Sequence, residues 1–535
     1  MNEFMGNELA IADYVVVGTG SAGSVIAERL SADPKNQVVV LEAGGKDTDR
    51  RIKMPVTWTQ LFRSPIDWDY LTEPQPELNG RRIYYPRGKT LGGSSSINAM
   101  FWIRGFAADY DEWAQQAGQQ WSFNRIVKYY KQIERVEGAR EPDEGDTGPL
   151  HVSHQRSPHP LTAAFLRAVQ QTGHTIERPN LPQPDGFSQT MVTQRRGSRW
   201  SAADAWLRPA LRRKNLTLIT DATVTRVIFS GTQAVGVEFE NDCGRQVVRA
   251  RREVVLCAGA VNSPQLLMLS GIGDQEHLQR HGIEVVHHLP QVGHNLQDHL
   301  VAVLGFDVEA RTLIGAGKPL QIANYLIRRR GMLTSPQGEA YGFVRSRPEL
   351  ALPDLELFFG PGPFFDQGLG EPYGDAVSFG PILEKPRSRG RISLRSTDPT
   401  DKPIIDPCYL SDPDGLDREA MLEGLRMCVK IADAPAFTGV LRSIARPIGA
   451  TDTSESTLQQ ALHNEAHSIW HPVGTCRMGT DRASVVTPEL EVRGVRGLRV
   501  ADASVMPKII RGHTHAPSVL IGAKAADIIA EANRR

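Results

Sequence analysis

Residues 12–44 read ADYVVVGTGSAGSVIAERLSADPKNQVVVLEAG, and the order of elements in this stretch decides the fold class. The run 13–17 is β-branched and aromatic, which predicts a short buried strand. Gly18, Thr19, Gly20, Ser21, Ala22 and Gly23 break it and open an Ala-, Leu- and Arg-containing helical segment. Residues 37–41 predict a second apolar strand closed by Glu42, whose carboxylate can accept both hydroxyl protons of an adenosine ribose. Gly18 suits the tight turn, Gly20 lets backbone approach a pyrophosphate, and Gly23 lets helix and strand pack closely. Phosphates bound there meet unpaired N–H groups and the positive end of the helix dipole. Strand, glycine turn, helix, second strand and acidic cap predict a dinucleotide site, and the stretch alone leaves nicotinamide and flavin both open.

The chain has 535 residues, more than one hydrophobic core usually supports, which predicts two domains or one with large insertions. Lys+Arg and Asp+Glu are both 61, so the formal charge is zero and composition points to no nucleic-acid or anionic-membrane partner. Cys243, Cys257, Cys408, Cys428 and Cys476 are widely spaced and form no CxxC pair, which argues against a disulfide framework or structural zinc. The opening MNEFMGNELAIA does not read as a signal peptide, and no apolar run reaches the roughly eighteen residues of a spanning helix. The expectation is a cytoplasmic protein without an integral membrane segment, with peripheral attachment left open.

Further along, 43–88 is rich in Pro, Gly, Asp and Trp and is too long for a mere connection, so it reads as a cover or extension. Residues 88–98, GKTLGGSSSIN, crowd small residues that let backbone and ligand come close. Helices are expected in 109–137, 161–172, 202–215 (broken or kinked near Pro209), 264–273 and 421–432. Residues 140–152 read as a solvated loop. Strands are expected at 216–219, 223–229, 234–238 and 253–256, then at 301–308, 355–359, 377–383 and 391–394. Strand runs after strand–helix alternation imply a second layer type, an antiparallel sheet with covering helices. The loop 360–375, GPGPFFDQGLGEPYGD, is either a pocket wall or ordinary surface covering.

Histidines in unusual settings lie near the end, in SIWHPVGTCRMG (468–479) and RGHTHAP (511–517), with GLRVADAS (497–504) between them. Histidine changes charge near neutral pH, so it suits a pocket that removes a proton from an alcohol. His281, His287, His288, His294 and His299 are irregularly spaced without a carboxylate pair, and read as loop and strand-end residues rather than a metal site; no metal is expected.

Together these segments resemble the glucose–methanol–choline (GMC) flavin oxidoreductases almost end to end. GKTLGGSSSINAMFWIRGFAADYD (88–111) is similar to the family's first signature and GAVNSPQLLMLSGIG (259–273) to its second. HPVGTCRMG (471–479), VADASVMP (500–507) and HTHAPS (513–518) follow in the family's order. The resemblance selects flavin over nicotinamide and implies an α/β (α+β overall) fold. Its parts are a Rossmann-like FAD-binding domain of 9–155, 210–300 and 465–535 and a substrate-binding domain of 156–209 and 301–464.

The resemblance also implies site roles. Gly18, Gly20, Ser21, Ala22 and Glu42 would hold the ADP half of FAD, Val224 would meet the adenine, and Thr19, Ala43 and Ala258 join the same set. Gly92, Gly93, Asn98, Ala99 and Met100 would lie along pyrophosphate and flavin, with Asp502 and Ala503 closing the far side. Trp470, His515 and Ala516 would approach the isoalloxazine. His471 matches the active-site histidine and His513 its partner, as base or only as hydrogen-bond partner. Ile97 stands where choline oxidases carry a histidine bonded to the flavin, which implies noncovalent FAD; His513 and His515 in place of the commoner NTN weaken a choline assignment.

The expected activity is oxidation of a primary or secondary alcohol, by proton abstraction and hydride transfer to flavin. The acceptor is a quinone, another carrier or oxygen, with dehydrogenase favoured over oxidase. A hydroxynitrile lyase is the rival that also keeps FAD and two histidines.

Overall fold

A computed structural model describes residues 7–370 and 373–532. The expected strand at 13–17 is the end of a longer one, Asn7–Val17, at the centre of a seven-stranded sheet. Val38–Leu41 and Gly244–Leu256 run parallel on either side, with Val15 opposite Val39 and Val254. Leu216–Ile219 extends the sheet beyond Val38–Leu41. Gly244–Leu256 serves two neighbours: its first half pairs antiparallel with Gln233–Asn241, and its end runs parallel to Leu498–Val500. The central strands are near-continuous Val and Leu because helices cover the sheet; Val15, Val16, Val40, Val254 and Val255 are fully buried. Gly23–Leu30, Gly259–Leu269 and His515–Ala532 supply apolar residues to this core.

The second large sheet is antiparallel, in the order Leu441–Arg446, Leu304–Val308, Ala376–Leu383, Leu355–Gly360, Ala340–Val344, Phe187–Gln189. Short Leu300–Val301 pairs with Ala376–Leu383 and with His467–Ser468, tying the sheet to the C-terminal segment. Helices Pro160–Gln171 and Leu416–Ala432 cover it over a phenylalanine core in which Phe165 stacks on Phe359 at 4.7 Å. The expected mixture of a Rossmann-like sheet and an antiparallel sheet with covering helices is the observed fold.

Several local expectations change. Residues 391–394 belong to a separate sheet of His294–Leu296, Gly390–Ser393 and Ile404–Asp406. The helical stretch expected over 202–215 widens to a π turn at Ala203–Leu207, passes into Arg208–Ala210 and ends there, so the expected break near Pro209 is observed. The loop 140–152 is pinned rather than solvated: Asp143 pairs with Arg104 and Arg178, and Leu150–Val152 lies parallel to Glu134–Val136. We propose that the two core clusters mark the two domains. Ala202, Trp206, Ile392, Leu394 and Ile405, expected on the substrate side, then pack with the first core, and 533–535 lie outside the described residues. No helix among the described residues is long and apolar enough to cross a membrane.

Candidate active site

The glycine turn opens onto a cleft of about 880 Å³, within the roughly 300–1,000 Å³ of ligand sites. Gly18 has φ +98°, donates its N–H to Leu41 O at 2.7 Å, and lies so close to the next strand that a Cβ would stand 2.5 Å from Cys257 O. Gly23 is equally confined, its would-be Cβ 2.0 Å from Gly18 O, whereas a Cβ on Gly20 would meet nothing within 4 Å. The turn is thus packed tightly behind and open in front. Ala22 caps helix Gly23–Leu30 without a side-chain hydrogen bond, so the positive helix end faces the cleft that Ala22 lines. Glu42 lines the cleft too. Its Oε2 accepts from Thr19 N (2.9 Å) and Oγ1 (2.6 Å), and its Oε1 from Gly44 N (3.0 Å). Burial raises the Glu42 carboxyl, opposed by these hydrogen bonds.

Nearly all residues expected at the cofactor share this cleft: Gly18, Gly20, Ser21, Ala22, Glu42, Ala43, Gly93, Asn98, Ala99, Met100, Val224, Ala258, Trp470, Asp502, Ala503 and His515 line it, with His471 and His513. Thr19, Gly92 and Ala516 do not. Thr19 stands behind the wall as the clamp on Glu42, and Ala516 is buried in the sheet core. Asp502 joins segments far apart in sequence, accepting from Gly259 N (2.9 Å), Ser263 Oγ (2.6 Å) and Ser504 N (2.8 Å). Asn98 is fixed by Arg199 Nη1 at 2.6 Å. Met100 and Trp470, both in the lining, take positive φ (+65°), strain of the kind that collects at functional sites.

The remaining wall is aromatic. Trp58 and Phe62 from 43–88, Phe364 from the 360–375 loop, and Trp470 form one cluster, with Phe62 and Trp470 centroids 5.0 Å apart. Phe364, Phe365 and Tyr373 line the cleft, so this loop is a pocket wall; its Glu371 and Pro372 lie outside the described residues. The acids in the described lining are Glu42 and Asp502.

His471 and His513 meet edge to face, ring centroids 4.6 Å apart. Behind them lies a buried polar set that sequence patterning did not isolate: His299, Glu356 and Glu384. His471 Nδ1 is 3.0 Å from His299 Nδ1, and His299 Nε2 is 3.1 Å from the carbonyl oxygen of Glu384. Asp298 accepts from His471 N at 2.7 Å, Ser468 Oγ at 2.5 Å and Tyr409 OH, which fixes the backbone carrying both histidines. His513 Nε2 faces Glu356 Oε1 at 3.3 Å, and Gly512 N donates to Glu384 Oε2. Burial, then the Glu356 charge, raises the Glu384 carboxyl well above the usual range, as expected when two acids share one dry site.

The geometry fixes the histidine tautomers. A carbonyl oxygen only accepts, so His299 Nε2 carries the hydrogen. Burial, followed by His513, pushes His299 down to about 3, so it is neutral and its Nδ1 is an acceptor. His471 Nδ1 must then donate. Burial, then His513, His299 and Arg87, holds His471 well below its ordinary value; it too is neutral, and Nε2 keeps a lone pair for the cleft. One signal in the sequence pointed here: His299 follows Asp298 in a stretch resembling a family segment. The two glutamates gave none, since each sits in an apolar strand or at its end.

At the head of the last helix, His515 Nδ1 is 3.0 Å from Ser21 Oγ, and its buried Nε2 has no partner among the described residues. An open glycine turn, an uncapped helix end and an orphaned ring nitrogen on one wall fit a long ligand with phosphates and a hydrogen-bonding heterocycle.

Comparison with known proteins gives the chain's family. Two GMC oxidoreductase family models match, the N-terminal one over 12–301 and the C-terminal one over 386–522. An uncharacterised GMC-type oxidoreductase of Mycobacterium tuberculosis is 62% identical over 97% of this chain and 99% of its own. The alcohol dehydrogenase [acceptor] of Pseudomonas putida is 42% identical over 97% and 95%. The crystal structure of pyridoxine 4-oxidase from Mesorbium loti matches with TM-score 0.88 at 31% identity, covering 97% of this chain and 99% of that one.

Proposed function

This chain belongs to the GMC oxidoreductase family of FAD-dependent enzymes acting on CH–OH donors, and from that premise we propose that it oxidises a primary or secondary alcohol to the aldehyde or ketone. The observation that carries the reading is the line His471 Nδ1–His299 Nδ1–Glu384 O, at 3.0 Å and 3.1 Å from His299, which supports a lone pair on His471 Nε2. His471 takes the hydroxyl proton at that atom, and removal of the proton raises electron density on the substrate oxygen. FAD held along the glycine turn and Asp502 would supply the hydride acceptor for the adjacent carbon. His513 lies beside the developing imidazolium, and Glu356 behind it balances the charge. The aromatic wall excludes water and holds the substrate carbon in place.

The proposed cofactor positions follow the cleft. Gly18, Gly20, Ser21, Ala22 and Glu42 hold the ADP half; Gly93, Asn98, Ala99, Met100, Asp502, Ala503 and His515 hold pyrophosphate and flavin. We assign noncovalent FAD because Ile97, 3% exposed beside Ile52 and Leu61, offers no nucleophile. The substrate reading is a neutral alcohol with an apolar body. Beside Trp58, Phe62, Phe364 and Trp470 the described lining gives a quaternary ammonium group no carboxylate counter-charge. The unspecified acceptor in the name of the Pseudomonas relative supports a dehydrogenase passing electrons to a quinone or another carrier.

An anaerobic flavin-bleaching screen against aliphatic, aryl, polyether and amino alcohols tests this, followed by air and by acid precipitation. The expected result is bleaching by apolar alcohols, slow recovery in air, quick recovery with a quinone, and free flavin in the acid supernatant. Cleavage of a cyanohydrin without bleaching would assign a lyase instead.

A further inference from the structure

Helix Pro319–Arg328 is built inside out. Its inward hold is slight: Tyr325 alone is buried, packed with Ala316 and Leu333, its hydroxyl donating to Lys53 O at 3.0 Å and meeting Ser198 Oγ at 2.9 Å, and Gln321 Oε1 accepts from Met332 N at 3.3 Å. Its outward positions are apolar, with Leu320, Ile322, Leu326 and Ile327 at 84%, 42%, 63% and 81% exposure. The pairs 320/327 and 322/326 have the spacing that brings helical side chains to one side. Ile314, in the adjoining turn Leu313–Gly317, adds another exposed side chain at 43%. Scattered exposed apolar residues are ordinary, but a contiguous group marks an interaction surface.

The patch is edged by cations. Lys318 precedes the helix and Arg328, Arg329 and Arg330 end it, all exposed, and residues 311–332 contain no Asp or Glu. The zero net charge of the chain conceals this local excess. Ten residues span about 15 Å at ~1.5 Å per residue, half of a bilayer core of roughly 30 Å, so such a helix lies in an interface rather than crossing one. A second copy of the chain is a poor cover, because a twofold contact through this face would set the cations of one copy near those of the other.

We propose that helix Pro319–Arg328 seats the enzyme on an anionic bilayer surface, with Leu320, Leu326 and Ile327 among the acyl chains and Arg328–330 at the headgroups. Leu313, Ile314 and Gly317 line the cleft, so docking sets the cleft beside the membrane, where apolar alcohols and lipid-soluble acceptors concentrate.

Flotation of the holoenzyme with phosphatidylcholine–phosphatidylglycerol vesicles, against pure phosphatidylcholine, tests the proposal. Binding is read on the protein band, independently of any alcohol oxidation. The wild type is expected to float with the anionic vesicles only. Leu320→Glu/Ile327→Glu removes two side chains from the apolar layer and should weaken partition on the order of a hundredfold. Arg328→Gln/Arg329→Gln/Arg330→Gln should weaken it by a similar factor, at roughly one headgroup attraction per cation. Both variants should keep bound flavin and turnover with a soluble dye, since neither alters a lining residue. A wild type that stays with neither vesicle overturns the proposal. So does a wild-type dimer that Leu320→Glu/Ile327→Glu turns into monomer with vesicle binding unchanged, which would assign the face to a second copy.

Discussion

Glu42 and His471 line one cleft and are held by opposite means. Around the Glu42 carboxylate the partners come from one continuous stretch, 18–44: Thr19 and Gly44 grip it, and Gly18 N binds Leu41 O. Around His471 the partners come from distant segments, since His299, Glu356, Glu384 and His513 sit on different strands and loops. What the first region presents is backbone shape and a charge that any dinucleotide would meet. What the second presents is a protonation pattern, a lone pair at one ring nitrogen, set by burial and by the direction of each hydrogen bond. The comparison separates binding from chemistry, and it can be broken at either place.

The largest effect is expected at His471. His471→Gln should lower kcat by roughly a hundred- to ten-thousand-fold while the protein remains yellow, because the variant loses the proton acceptor and leaves the glycine turn untouched. Stopped-flow bleaching under nitrogen measures it. Loss of flavin in this variant would merge the two regions that the geometry keeps apart.

His299 comes next. It does not itself line the cleft and acts through His471, so His299→Leu should leave flavin binding intact and lower kcat roughly ten- to a hundredfold, the usual range for a partner that fixes a functional histidine. His299→Asn offers a rescue, since its amide oxygen can accept from His471 Nδ1 while its NH2 donates toward Glu384 O. Equal losses in the two variants would show that His299 only fills space.

A smaller and opposite effect is expected at the turn. Glu42→Gln exchanges charge-assisted hydrogen bonds for neutral ones, a change of about 1–1.5 kcal/mol, so FAD should bind roughly tenfold more weakly. With saturating FAD, kcat should return to the wild-type value. Titration of the apoprotein by flavin fluorescence reads the first quantity and steady-state turnover the second.

These contrasts also explain what could be read before the fold was in view. Residues 12–44 gave up strand, turn, helix and acid because each is local, and Gly18, Gly20 and Gly23 stand where those roles require. His471 and His513 were legible through resemblance. His299 was read as a strand-end histidine, since nothing near residue 299 in the chain shows that Ser468–His471 folds beside it. Glu356 and Glu384 look like ordinary strand polarity until both are found buried together. No helix is expected at Pro319–Arg328, and its spacing alone would not tell an outward apolar side from a core-facing one.

The smallest expected effect is an absence of change, and it bears on the protonation half of the comparison. An unperturbed histidine base would begin to lose activity as pH falls toward about 6.5. Burial lowers His471 well below that, so the folded enzyme keeps the base neutral while a free imidazole would already be charging. Activity carried by the lone pair on Nε2 is therefore present at and above pH 6.5 and is lost only as pH falls through the lowered value. Between pH 7.5 and 5.5, kcat/KM for a non-ionising alcohol should vary by less than about twofold, where an ordinary imidazole base would lose roughly tenfold. An acid limb centred near 6.5 would mean that His471 is wet and ordinary, and the relay through His299 would no longer explain why this nitrogen is left free to accept a proton.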